Sequence, residues 1–168
     1  APEAMRDLAF SLIRVLDDDG QARGPWAGGL TPEDLRNGLK HMMTLRAYDG
    51  RMLIAQRQGK TSFYMQHAGE EAISCAFQRV LEEGDMNFPT YRQAGLLIAA
   101  GYPIVDMMCQ VYSNEGDSAR GRQLPVFYQS RTHGFFSISG NLATQYIQAV
   151  GWAMASAIAC LLYTSDAA

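Results

Sequence analysis

The 168-residue sequence offers little with which to staple or ligate itself, having three cysteines and three histidines. Cys75, Cys109 and Cys160 are far apart and form no CxxC pair, so a patterned disulfide or metal-thiolate framework is excluded. They read as reduced thiols of a cytosolic protein. His41, His67 and His133 make neither HxxxH nor HExxH. Positive charge is also scarce, with 14 Lys and Arg against 17 Asp and Glu for a net charge of −3. Nucleic acid and anionic membrane both reward clustered cations, so neither is expected as a partner. No apolar run reaches the about 18 residues that a membrane-crossing helix needs. The opening "APEAMRDLAF" lacks the basic and apolar segments of a secretory signal. No mitochondrial presequence is recognisable, which makes a bacterial cytoplasm the expected compartment, or the mitochondrial matrix if the source is eukaryotic. Internal repeats and low-complexity tracts are absent. What remains is a chain 48% hydrophobic, enough for one globular domain with a core.

Residues 1–30 have little periodicity and read as an N-terminal arm lying along something else. The contiguous Asp17-Asp18-Asp19-Gly20 lacks the alternating acids of an EF-hand and is a polar turn. The clearest helix begins at Thr31, a cap, with Pro32 in its first turn and Glu33 and Asp34 at its positive end. Leu35, Leu39, Met42, Leu45, Tyr48 and Met52 form one apolar face, and Gly59 ends the helix. A second helix is expected over 70–82, a weak or edge strand in "DMNFPTY", short helices over 92–101 and 103–112, and a strand in "FFSIS". "GNLATQYIQAVGWAMASAI" is a turn into a helix apolar nearly all round, hence expected to be fully buried. Strands separated by helices predict an α/β layered fold, though two or three short strands look like part of a sheet.

Two helix-start motifs could carry chemistry. "PTYRQAG" puts Tyr91-Arg92 where a short strand gives way to a helix, a junction at which α/β folds bind ligands and anions are favoured. A guanidinium there suits phosphate or carboxylate, although a surface Arg or an ion pair is the plainer reading of the spacing. "SISGNLATQ" gathers the oxygens of Ser139, Asn141, Thr144 and Gln145 around Gly140, which could hold a small hard cation or only cap a helix. Loop residues His67 and His133 lie beside these motifs. Glu70-Glu71 complements a helix dipole without any catalytic role, and the nine Met read mostly as core filling.

"SFYMQHAGEEA", "PTYRQAG", "GRQLPVFY" and "SISGNLATQYIQAVGWAMA", in this order, resemble the alpha subunits of thiamine-diphosphate-dependent branched-chain 2-oxoacid dehydrogenases. The resemblance runs over roughly residues 5 to 158 and includes "LIRVLDDDG". It implies a thiamine-diphosphate-binding α/β fold with a parallel sheet flanked by helices. It also implies a heterotetramer with beta subunits, and acyl transfer to the lipoyl-bearing acyltransferase component after decarboxylation. Carried over by motif, Tyr91 and Arg92 would contact the diphosphate, while Gly140 and Leu142 would offer backbone groups to the aminopyrimidine ring. Ser139, Asn141, Thr144 and Gln145 would surround potassium, and Phe63 and Tyr91 would wall a branched aliphatic pocket. No catalytic residue is carried over.

The chain also departs from the pattern. Animal members have Ser-Pro where this sequence has Gly140-Asn141, which leaves backbone contacts to the cofactor but puts the cation site in doubt. "YRQA" and "GEEA" stand where pyruvate-specific subunits tend to have "YRDH" and "GQEA", favouring branched-chain substrates over pyruvate or acetoin. The family's magnesium motif, a "GDG", occurs nowhere. The expected organisation is therefore an arm (1–30), the first part of a cofactor-binding domain (31–158) and a non-native tail (159–168), inactive alone. A non-catalytic interaction module is the remaining alternative.

Overall fold

The computed structural model describes residues 14–24 and 29–159. The rest of the expected arm, and the tail with Cys160, lie outside the described residues. The chain divides into two compact units, residues 1–35 and 36–168. In the first, Asp17 closes the polar turn on itself. Its carboxylate accepts the Asp19 and Gln21 N–H groups and pairs with Arg23 at 2.8 Å, while Leu16 bridges Ala22. The acidic run is thus occupied by its own backbone. Helix α1 (Pro32–Arg57) starts with a reciprocal cap, in which Asp34 N–H donates to the Thr31 hydroxyl (3.2 Å) and Thr31 N–H to the Asp34 carboxylate (2.9 Å).

In the second unit, α2 (Glu71–Arg79), α3 (Ala94–Ala99), α4 (Ile104–Tyr112) and α5 (Thr144–Ile158) follow, with a 3-10 turn at Arg131–His133 between the last two. The C-terminal half of α1 supplies Leu45, Tyr48 and Met52 to the core, against Leu96, Leu97, Met107 and Val111 of α3 and α4. Loop residues Tyr64, Val126, Tyr128, Phe135 and Ile138 complete it. Each such side chain contributes about 1.5–3 kcal/mol on burial. Helices α2 and α3 touch at Gly95, where a Cβ would lie 2.6 Å from the Ser74 Cβ, so no larger residue fits.

Two expectations are corrected. First, "DMNFPTY" and "FFSIS" are extended but form no strand among the described residues. They meet at the single parallel bridge Asn87–Phe135, and Phe135 also bridges Ser130 in the antiparallel sense. Pro89 has no N–H to carry the ladder further. The described chain is helix-rich without a sheet. Second, α5 is not buried. None of its residues is enclosed, and Tyr146 and Ile147 are 77% and 76% exposed. A helix apolar nearly all round needs cover on every side, yet among the described residues its aromatic ring contacts are Phe88 and Phe136, edge-on to Trp152 at 6.3 and 6.2 Å. The N-terminal end of α1 likewise leaves Leu35 and Leu39 exposed, contrary to the continuous apolar face.

Candidate functional site

The turn 90–93 is built by side chains reading their own backbone. Thr90 donates both its N–H and its hydroxyl to Gln93 Oε1, at 2.6 and 2.7 Å. Gln93 Nε2 in turn donates to Glu70 Oε2 (3.0 Å), tying the turn to the start of α2. Glu71, the next residue, is held by Arg46 at 2.6 Å and by the Gly69 N–H at 2.9 Å. The two acids therefore brace loops. Within the turn Tyr91 is half-buried and Arg92 is exposed, its guanidinium carbon 5.8 Å from the centre of the Tyr91 ring. No carboxylate among the described residues pairs with Arg92. An exposed guanidinium on a hydrogen-bonded turn can receive a phosphate or carboxylate. The α3 helix behind it has six residues, so its dipole adds little and the charge of Arg92 is the principal attraction.

The second motif lies against the same aromatic ring. Tyr91 stacks on Phe127 with centroids 6.2 Å apart and planes inclined by 5°. A Cβ on Gly140 would come within 3.1 Å of the Phe127 ring. The turn at Tyr91 and the loop at Gly140 thus share Phe127 as a common neighbour. Ala143 follows with φ +68°, a left-handed conformation that costs a non-glycine residue about 1–2 kcal/mol. The Thr144 hydroxyl donates to the Asn141 carbonyl (2.8 Å), and Gln145 Nε2 to the Ser139 carbonyl (3.2 Å). Ser139, Asn141, Thr144 and Gln145 are therefore gathered in one turn, as their spacing implies. Leu142 is 78% exposed. Phe63 and Tyr91 both pack on the core, but no ring contact joins them among the described residues.

Phe63 is anchored by a network that the sequence reading passed over. Its neighbour Tyr64 donates from its hydroxyl to Asp49 Oδ1 (2.7 Å). Asp49 also accepts the His67 backbone N–H (2.7 Å) and meets His67 Nδ1 at 2.8 Å. Burial would raise the Asp49 carboxyl, but the hydrogen bonds from His67 and Tyr64 outweigh it and hold the carboxyl below its ordinary value. His67 is a buried partner of Asp49, with Nε2 unpartnered. His133 is a half-buried loop residue bonded to Ser130 (2.7 Å). Cys75 and Cys109 are free. A groove of about 350 Å³ is lined by Ile73, Phe77, Leu81, Phe88 and Leu96 and by Pro89 and Gln93 of "PTYRQAG", while Tyr91, Arg92 and the Gly140 loop do not border it.

Residues 39–166 match the model of the dehydrogenase E1 component family. The chain belongs to the dehydrogenase E1 component family. Within it, the chain is 62% identical over 157 residues to the 2-oxoisovalerate dehydrogenase subunit alpha of Pseudomonas aeruginosa, covering 94% of this chain and 38% of that protein. It is 39% identical over 146 residues to the mitochondrial 2-oxoisovalerate dehydrogenase subunit alpha of Bos taurus, covering 86% of this chain and 32% of the relative. The corresponding Homo sapiens subunit is also 39% identical over 146 residues. The chain thus spans about a third of the length of the curated relatives it matches. In this E1 chain no described helix is long and apolar enough to cross a membrane. The residues that sequence reading missed are Asp49 and Phe127. A carboxylate at 49, inside the stripe 45, 48, 49, 52, was a visible signal for the first. For the second the only signal was the aromatic after Pro125-Val126.

Proposed function

We propose that this chain forms the part of a branched-chain 2-oxoacid dehydrogenase alpha subunit that grips the diphosphate and faces the ring of thiamine diphosphate. The reading is supported by one observation above all: the Tyr91–Arg92 turn and the Gly140 loop both neighbour the same Phe127 ring. A cofactor with an anionic end and a heteroaromatic end fits such a pair of motifs. When bound, thiamine diphosphate supplies the carbanion chemistry that releases carbon dioxide from a 2-oxoacid. The chain's own residues bind and orient. Arg92, free of carboxylates among the described residues, neutralises the diphosphate, and the Thr90–Gln93 bonds fix its turn. The backbone at Gly140 and Leu142 faces the aminopyrimidine, and the exposed backbone of that loop suits the task. Phe63 and Tyr91 supply apolar walls for the branched side chain. The carbonyls of Ser139 and Asn141 and the hydroxyl of Thr144 are the donor type a potassium ion takes. Magnesium does not fit these residues: no His, Cys, Asp or Glu cluster among the described residues could hold a metal ion, so no step is derived through it.

The partners in this reading are a beta subunit and a lipoyl-bearing acyltransferase. In the whole alpha subunit assembled with beta, Arg92→Ala should weaken thiamine diphosphate binding by about tenfold to a hundredfold, the loss of one charge-assisted contact of about 1.5–3 kcal/mol. Titration calorimetry measures this. Turnover should favour 2-oxoisovalerate over pyruvate, and a preference for pyruvate, or unchanged binding by Arg92→Ala, refutes the proposal.

A further inference from the structure

We infer that Phe127 is the positioning residue that sets the separation between the two halves of the cofactor site, an inference resting on the thiamine diphosphate reading above. Tyr91 lies within 5° of parallel to the Phe127 ring, with centroids 6.2 Å apart, and the Cζ edge of that ring stands where a Gly140 Cβ would meet it at 3.1 Å. The ring neighbours both motifs and so links the position of the Arg92 turn to that of the Gly140 loop. Such a link works only if it is itself immobile, and the structure holds Phe127 from both sides. Before it, Val126 is fully buried with φ +69°, a conformation strained for a β-branched residue. That strain is kept in place by Gln110 of α4, whose Oε1 accepts the Val126 N–H (2.9 Å) while its Nε2 donates to the Leu124 carbonyl (2.7 Å). The Phe127 N–H closes the same turn on the Leu124 carbonyl at 3.0 Å. After it, Tyr128 is buried and shares a 3.0 Å hydrogen bond with the Tyr48 hydroxyl on α1. Two core helices therefore determine where one ring stands, and the ring determines how two surface motifs face each other.

The experiment uses the whole alpha subunit assembled with its beta subunit. Thiamine diphosphate affinity, the cofactor KM and kcat, and the melting temperature are measured for Phe127→Leu, Phe127→Met, Gly140→Ala and the double variant Phe127→Leu/Gly140→Ala. Removing the flat ring should raise the cofactor dissociation constant by on the order of tenfold to a hundredfold, because small misplacements of binding groups are costly. Phe127→Met, which fills the space without a plane, should fall between Phe127→Leu and the unaltered protein. Gly140→Ala should also lose affinity, since its methyl meets the ring. In the double variant the smaller side chain makes room for that methyl, so the combined loss should be less than the product of the two single losses. A merely structural role would lower the melting temperature and leave the cofactor KM unchanged. Multiplicative losses in the double variant, or affinity within twofold of the unaltered protein for Phe127→Leu and Phe127→Met alike, overturn the inference while leaving the cofactor reading intact. Absence of affinity in the unaltered protein overturns both.

Discussion

Replacing Asp49 by Asn tests whether one buried carboxylate anchors the loop that carries Phe63. The carboxylate is 1% exposed and receives the Tyr64 hydroxyl, the His67 backbone N–H and His67 Nδ1, all within 2.8 Å. Asn keeps the shape and one oxygen, but its amide nitrogen must then face a donor. With the oxygen kept toward Tyr64 and His67 Nδ1, the His67 backbone N–H loses its acceptor inside the core. An unsatisfied buried donor costs about 1–3 kcal/mol, and exchanging a charged acceptor for a neutral one weakens the other contacts by roughly half. The expected loss is about 3 kcal/mol at neutral pH, a large part of the about 5–15 kcal/mol that holds a domain together. Urea unfolding followed by far-ultraviolet circular dichroism measures it. The pH dependence gives a second, sharper reading. Folding lowers the Asp49 carboxyl below its ordinary value of 3.8, so its contribution is complete above that value and is lost as pH falls through the lower folded value. The stability gap between the natural protein and Asp49→Asn should therefore narrow in acid, as pH falls through the lowered folded value. A gap under about 1 kcal/mol at pH 7, or one that does not narrow in acid, refutes the reasoning.

Two further outcomes follow from the same kind of accounting. Gln110→Met should destabilise by about 1–3 kcal/mol in urea unfolding, because the buried Val126 N–H loses its acceptor, while the Leu124 carbonyl keeps the Phe127 N–H. Ala143→Gly should stabilise by about 0.5–1 kcal/mol, seen as a higher unfolding midpoint, since glycine adopts its φ of +68° without strain.

The two helix-start motifs were legible as local chemistry. A turn with an arginine and a glycine loop rich in oxygens can be recognised from their own residues. Asp49 and Phe127 were harder. Asp49 broke the apolar stripe of α1 only as one charge among core residues, and its partner His67 is 18 positions away. Phe127 has no local signature, because its neighbours Tyr91 and Gly140 are brought to it by the fold.

Local sequence determined the helices of this protein. The Thr31–Asp34 cap, the 45, 48, 52 stripe and the glycine stops act within a few residues, where hydrogen bonds and periodic burial need no distant partner. Sheet formation and burial of α5 were not local matters. Segments 85–91 and 135–139 are extended by their own residues, but a ladder needs successive partners, and Phe135 finds Asn87 and Ser130 at single positions. The apolar character of α5 is written in its sequence, while its exposure is a property of which surfaces reach it. Only the tertiary structure decided that Tyr91 and Gly140, 49 residues apart, would both neighbour one ring. The strained turn at Val126 and its clamp on α4 fix that ring in space.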